Sequence, residues 1–326
     1  MKALVCRTLD GIDNLKVEDV ADVKPGPDEV LVAVKAAGVN FPDVLLVEGK
    51  YQYKAPLPFA PGFELSGIVR SVGANVKDVR PGERVQAIVN HGAFAQTALV
   101  PAKNIMKLPE GADFELAAAL VFTYGTSYHA LKDRADLKAG ETLLVLGAAG
   151  GVGLAAVELG KLMGARVIAA ASSEEKLAVC RDWGASETID YSKDDLRERL
   201  KAITEGKGVD VVLDPVGGPY TEPALRSLAW KGRLLVVGFT AGDIPKIPLN
   251  LPLLKGCSIM GVYLGAFMEK EPEANRANAQ QLLDWLAAGK LKPHISATYP
   301  LAKGIEALKD VQERRAKGKV LIIPGG

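Results

Sequence analysis

At 326 residues, with 40 basic and 39 acidic side chains, the chain exceeds one ordinary domain, and its balanced charge gives no footprint for nucleic acid or an anionic membrane. No apolar run approaches the ~18 residues of a membrane span, and the start Met1-Lys2-Ala3-Leu4-Val5-Cys6 lacks a signal-peptide layout. Cys6, Cys180 and Cys257 form no Cys-x-x-Cys, which fits a reduced, cytoplasmic protein in which cysteine acts as a small hydrophobe.

Over the first ~120 residues the texture is β-rich. Strand-like runs at Glu29–Ala36, Glu64–Val72, Arg84–Val89 and Phe94–Val100 are separated by turn signals such as Lys24-Pro25-Gly26-Pro27 and Arg80-Pro81-Gly82-Glu83. This predicts a compact barrel or sandwich. A short helix is expected at Pro42–Glu48, and helical texture begins at Leu116. From Thr142 strands and helices alternate, with strands at Thr142–Leu146, Arg166–Ala171, Thr188–Asp190, Val209–Asp214 and Arg233–Phe239. That alternation predicts an α/β unit, a doubly wound parallel sheet with helices on both faces. Ser258–Leu264 reads as an edge strand, followed by helices near Asn275–Ala288 and Ala302–Ala316 and a final strand at Lys319–Ile323. The closing strand and its helices are expected to return to the first domain. Residues 1–123 and 265–326 then form a discontinuous β-rich domain, and 124–264 form the α/β domain between them.

The most informative stretch runs from Thr142 to Gly153. Five residues suited to a buried strand lead directly into Gly147-Ala148-Ala149-Gly150-Gly151-Val152-Gly153, and an apolar helix pattern follows from Leu154 to Met163. Glycine lets the backbone turn tightly and approach a pyrophosphate, and the helix that opens there offers free N–H groups and the positive end of its dipole. Gly150 and Gly153 hold the second and third glycine places of the dinucleotide fingerprint, with Ala148 in the first. With Gly151 and Val152 they form a candidate cradle for a nicotinamide or flavin nucleotide. An NAD site places an acid about 20 residues past the glycines; this chain has Ala171-Ser172-Ser173 there, with Lys176 one turn on. Small hydroxyls and an ammonium suit the 2′-phosphate of NADPH, which an acid would repel. A second role stands beside this one: Ser172 as helix cap, with Glu175 completing a capping box.

Several segments together resemble the zinc-free quinone oxidoreductases, the zeta-crystallin-like members of the medium-chain dehydrogenase/reductase superfamily. They are Ala37-Gly38-Val39-Asn40-Phe41-Pro42-Asp43, Pro61-Gly62-Phe63-Glu64-Leu65-Ser66-Gly67, Pro81-Gly82-Glu83-Arg84-Val85, the Gly147–Gly153 loop and Asp214-Pro215-Val216-Gly217-Gly218. Their order matches over essentially the full length. The resemblance implies a GroES-like catalytic domain built from both chain ends, a Rossmann domain for NADPH, and a cleft joining them. Where the zinc alcohol dehydrogenases carry ligating Cys and His, this chain has Asn40 and Phe63. Phenylalanine cannot coordinate a metal and an asparagine amide is a poor zinc ligand, so no metal site is expected. Without a Lewis acid a simple carbonyl is hard to polarise. A quinone or α,β-unsaturated carbonyl instead delocalises the charge that hydride addition creates, and hydrogen-bond donors suffice.

The resemblance places three candidate catalytic residues in the first domain: Asn40, which reads equally as a helix cap; Asp43, which also simply suits the helix dipole; and Tyr51, matching the proton donor of related enoyl thioester reductases. On the cofactor side it points to Thr126 beside the nicotinamide and Tyr191 near the adenosine phosphate. Gly238 and Phe239 lie at the crevice end of the sheet, and Lys319 is a candidate phosphate ligand or else a solvated lysine. The expected activity is NADPH-dependent reduction of a small conjugated carbonyl. The alternatives are an enoyl-CoA reductase with a basic mouth drawn from Lys50, Lys54 and Arg84, and a non-catalytic, crystallin-like NADPH-binding protein. The uncharged edge near Ser258–Leu264 predicts a homodimer.

Overall fold

The computed structural model describes residues 1–325, which fall into two compact units: Met1–Phe122 with the described residues from Ala279 onward, and Thr123–Asn278. From sequence alone the boundaries were expected at 123/124 and 264/265; the structure places the second within the helix Pro272–Ala287. The cause is packing. The segment after the edge strand forms an unforeseen helix, Leu264–Lys270, whose Phe267 stacks on His129 at 3.9 Å. Asn278 then donates to Asp133 (2.6 Å) and accepts from Lys132 (2.6 Å), so this segment stays with the α/β unit.

The α/β unit holds a six-stranded parallel sheet. In spatial order its strands are Glu187–Asp190, Arg166–Ala171, Thr142–Leu146, Val209–Asp214, Leu228–Val236 and Ser258–Gly261. Numbered along the chain the order is 3-2-1-4-5-6, that of the Rossmann fold, and it reverses between the first and fourth strands. The first strand sits mid-sheet with Leu143, Leu144, Val145 and Leu146 all fully buried, which explains its unbroken apolar run: both faces are covered by helices. The fifth strand ends at Val236 rather than Phe239, so Gly238 and Phe239 belong to the loop beyond it. The edge strand ends at Gly261, three residues short of expectation, as Leu264 begins the next helix.

The other unit is built on a mixed sheet in the order Ile295–Pro300, Lys319–Ile323, Glu29–Val39, Glu64–Val72, Arg84–Ile88, Ile105–Lys107, with Thr97–Pro101 also paired to Glu29–Val39. Its core packs Val30, Val32, Val34, Leu65, Val85 and Phe94. The final strand Lys319–Ile323 formed as expected and pairs antiparallel with Ala37–Val39, while Gly38 faces Glu64 on its other side. That register brings residues 38, 64 and 319 into one neighbourhood although they are far apart in the chain. Among the described residues no helix is long and apolar enough to cross a membrane.

Candidate functional site

The glycine loop joins the first strand of the parallel sheet to the helix Gly151–Leu162, which Gly150 caps. The turn is made at Gly147, with φ 57°, a conformation that a side chain disfavours, and a Cβ there would meet Val216 at 2.8 Å. The tight-turn role therefore falls on Gly147, one residue before Ala148; Ala148 is buried and its N–H donates to Ala170. At Gly153 a Cβ would lie 2.3 Å from the Gly147 carbonyl oxygen, so only glycine lets the helix come this close to the loop. The first-turn N–H groups of Gly151, Val152 and Gly153 have no intrahelical acceptors and face the helix entrance, an arrangement that attracts phosphate. Thr126 is buried within the helix Thr123–Tyr128, and the next residue fixes that helix to the loop: Ser127 Oγ donates to the Val152 carbonyl at 2.8 Å.

Beyond the second strand, Ser173 rather than Ser172 caps the helix Glu174–Trp183, its Oγ accepting from Lys176 N–H at 3.4 Å. Sequence alone misplaces this cap by one residue, and the shift leaves the Ser172 hydroxyl on the surface, where Lys176 Nζ meets it at 3.2 Å. Hydroxyl and ammonium thus sit together at the end of the strand. Tyr191 follows the third strand; its N–H donates to Ala171 (3.1 Å) and its ring tilts against Tyr220 at 4.4 Å. At the end of the fourth strand the buried Asp214 accepts from the N–H groups of Val216 and Gly217 and from Thr221 Oγ1. This carboxylate shapes the Pro215–Gly218 turn, a role that sequence did not foresee. The Phe239 ring lies against Gly217 and lines an apolar cavity of about 210 Å³ with Val236, Leu225 and Ile247.

In the β-rich unit, Asn40, Asp43, Glu64 and Lys319 form one buried polar cluster. Lys319 Nζ donates to Glu64 Oε1 (2.5 Å), Asn40 Oδ1 (2.8 Å) and the Val39 carbonyl (3.2 Å). All three ammonium protons are thereby engaged. Lys319 is therefore not a solvated lysine: its strand runs through the interior beside Val39. Asn40 Nδ2 in turn donates to Glu64 Oε1 at 2.8 Å, and Glu64 Oε2 accepts from Phe122 N–H at 2.8 Å. Gly38 makes room for this: a Cβ there would lie 2.2 Å from Glu64 Oε1. Asp43, in the helix Phe41–Val47, accepts from Asn40 N–H (2.8 Å) and from Gly62 N–H (3.0 Å). Burial pushes its carboxyl up to about 8, against the opposing pull of those two N–H groups and of the Lys319 ammonium. The signal for this cluster was present but faint: a lone lysine opening the apolar run Val320-Leu321-Ile322-Ile323, and a lone glutamate in Gly62-Phe63-Glu64-Leu65.

Tyr51 is half-buried with its ring edge-on to Phe63 at 5.2 Å, and Phe63 in turn meets Phe122 at 6.0 Å. Residues 40 and 63 are both taken up by local contacts. Phe63 is a buried hydrocarbon and the Asn40 oxygen is held by an ammonium. The basic residues expected around a CoA mouth are also engaged locally. Lys54 donates to the Gly49 carbonyl, Lys50 pairs with Glu48 at 2.9 Å, and Arg84 stacks on Phe114 at 3.9 Å.

Residues 26–110 match the alcohol dehydrogenase GroES-like domain, and residues 151–287 match the family described as zinc-binding dehydrogenase. The chain is 40% identical to the quinone oxidoreductase-like protein 2 homolog of Nematostella vectensis, over 98% of this chain and 88% of that protein. It is 34% identical to a quinone oxidoreductase of Pseudomonas aeruginosa, over 96% of this chain and 97% of that one. The crystal structure of Escherichia coli quinone oxidoreductase complexed with NADPH superposes with a TM-score of 0.93 at 31% identity, covering 99% of this chain and 100% of that chain.

The raised Asp43 carboxyl has a consequence for stability. The folded protein keeps a proton up to about pH 8 that the unfolded chain releases near pH 4, at about 3.9. Stability from this group is full below the unfolded value and falls as pH rises through the folded one. Chemical unfolding of wild type between pH 6 and 8.5 is expected to show a steeper loss than Asp43→Asn, by up to about 1.4 kcal/mol per pH unit. Parallel profiles for the two proteins contradict the assignment.

Proposed function

This chain belongs to the quinone oxidoreductase family of the medium-chain dehydrogenases/reductases, and from that membership we propose that it reduces quinones and related conjugated carbonyls with NADPH, by direct hydride transfer and without zinc. The observation that carries the reading is Phe63, buried among aromatic rings where a metal-dependent relative needs a ligand. The acceptor must then be one whose own conjugation spreads the incoming charge.

The nucleotide site fits NADPH. The N–H groups of Gly151, Val152 and Gly153 would hold the pyrophosphate at the helix N-terminus, and Ser172 with Lys176 would hold the 2′-phosphate. Thr126, Tyr191, Gly238 and Phe239 line the remainder. When bound, NADPH supplies a hydride from its nicotinamide ring. Tyr51 hydrogen-bonds the acceptor oxygen and steadies the ring as charge develops there. Asn40 and Asp43 act from beneath: their hydrogen bonds to Glu64, Lys319 and Gly62 fix the start of the helix Phe41–Val47 and the strand ends around it. The local pairing of Lys50, Lys54 and Arg84 weighs against the enoyl-CoA alternative.

We also propose a two-fold homodimer formed through the edge strand Ser258–Gly261. Beside it Ile259, Tyr263, Leu249, Leu253 and Leu254 are exposed, an apolar surface of the kind that marks an interface.

A panel of quinones, enones and enoyl-CoA esters assayed with NADPH tests the activity. Fast turnover of quinones or enones with negligible enoyl-CoA reduction is expected. Efficient enoyl-CoA reduction, or slow NADPH oxidation with every acceptor, overturns the proposal. For the coenzyme, Lys176→Glu is expected to weaken NADPH by about 1–3 kcal/mol and NADH much less; equal affinity of wild type for both coenzymes contradicts the 2′-phosphate site. For assembly, light scattering is expected to give twice the chain mass, and a concentration-independent monomer rules the edge interface out.

A further inference from the structure

The loop that carries Tyr51 carries a second phenol. Tyr53 lies two residues on, and its hydroxyl sits 3.1 Å from His91 Nδ1. The two rings stack at 5.9 Å with an interplanar angle of 18°, and Phe59 stands edge-on to the imidazole at 5.8 Å. His91 is therefore held on two sides, by a phenol it hydrogen-bonds and by an uncharged ring it packs on. Both Tyr53 and His91 are half-buried, so each keeps an edge toward solvent. The nearest ammonium on the loop, that of Lys54, turns back to the Gly49 carbonyl. Burial lowers the His91 imidazole from its ordinary value. A neutral imidazole can take a proton at one nitrogen while releasing one from the other.

Reduction of a conjugated carbonyl by hydride leaves an oxyanion that needs a proton. Resting on the activity proposed above, we infer that Tyr53 and His91 form a proton relay that supplies it, with Tyr51 confined to orienting the acceptor. In the Nδ1–H tautomer His91 donates to the Tyr53 oxygen, which leaves the phenol proton free for the acceptor. The Tyr53 O–H bond breaks as an O–H bond forms on the acceptor oxygen. The Nδ1–H bond breaks as the phenolate takes that proton, and Nε2 takes one from water, releasing hydroxide to solvent. No oxidation state changes in this step. The ring is left as the Nε2–H tautomer and returns to Nδ1–H by exchange with solvent.

The test compares wild type, Tyr53→Phe, His91→Gln and His91→Ala in single turnovers with NADPH and a saturating enone, in H₂O and D₂O. Glutamine keeps a hydrogen bond to Tyr53 but cannot pass a proton through, so it separates relay from scaffold. Tyr53→Phe and His91→Gln are each expected to slow turnover about tenfold or more with NADPH affinity and thermal unfolding unchanged. The multi-proton solvent isotope effect of wild type is expected to collapse to that of one proton in His91→Gln. Added imidazole is expected to restore turnover to His91→Ala. Wild-type rate and isotope effect in His91→Gln, or no rescue by imidazole of a folded His91→Ala, overturns the relay and leaves the reductase assignment standing. Wild-type protein that reduces no conjugated acceptor overturns both.

Discussion

The buried contact between the Lys319 ammonium and the Glu64 carboxylate is the constraint around which the β-rich unit is organised. Taking two charges out of water is expensive, and such a pair persists only when its remaining donors and acceptors are satisfied. Here they are: Lys319 also reaches Asn40 and the Val39 carbonyl, and Glu64 also accepts from Asn40 and Phe122. The pair therefore contributes definition more than net stability. Removing one partner leaves the other buried and uncompensated, which typically costs about 3–5 kcal/mol. It can form only if the C-terminal strand pairs with Ala37–Val39 in the observed register, since a slip by one residue turns Lys319 to the other face. It needs Gly38, whose missing side chain is the space that Glu64 occupies.

The same cluster is the ground for the chemistry proposed at this place. Asn40 is held by an ammonium and Phe63 packs against Tyr51 and Phe122, which supports the proposal of an acceptor aided by hydrogen bonds rather than by a Lewis acid. In the α/β unit the corresponding constraint is steric. Gly147 and Gly153 let helix and loop approach to distances that a Cβ at either position would block. Both units thus use missing side chains, at Gly38, Gly147 and Gly153, to bring polar backbone or charge to a defined point.

The sequence made the α/β unit legible because its signals are local. Strand, glycine turn and helix follow one another within about 20 residues, and the unbroken apolar strand reports a sheet covered on both faces. Boundaries were less legible where two adjacent residues compete for one role. Ser172 and Ser173 are equally good caps by type, and only the extended backbone of Ser173 decides between them. The start of the helix at Leu264 reads as the end of a strand because Val262-Tyr263-Leu264 is an apolar run that suits either state. Lys319 was misread for a deeper reason. A lysine at the start of a strand is ordinarily solvated, and its partners Asn40 and Glu64 stand more than 250 residues away in the chain. Tyr53 and His91 are likewise joined by folding alone, across 38 residues.

In the proposed reaction hydride passes directly to a conjugated acceptor with no metal taking part. It is tested most directly by single-turnover oxidation of NADPH deuterated at the transferring position, using protein treated with a strong chelator and shown to be zinc-free. A primary isotope effect at an undiminished rate, with the label retained on the β-carbon of an enone product, is the predicted result. Loss of turnover on chelation that zinc restores, or an unlabelled product, would contradict it.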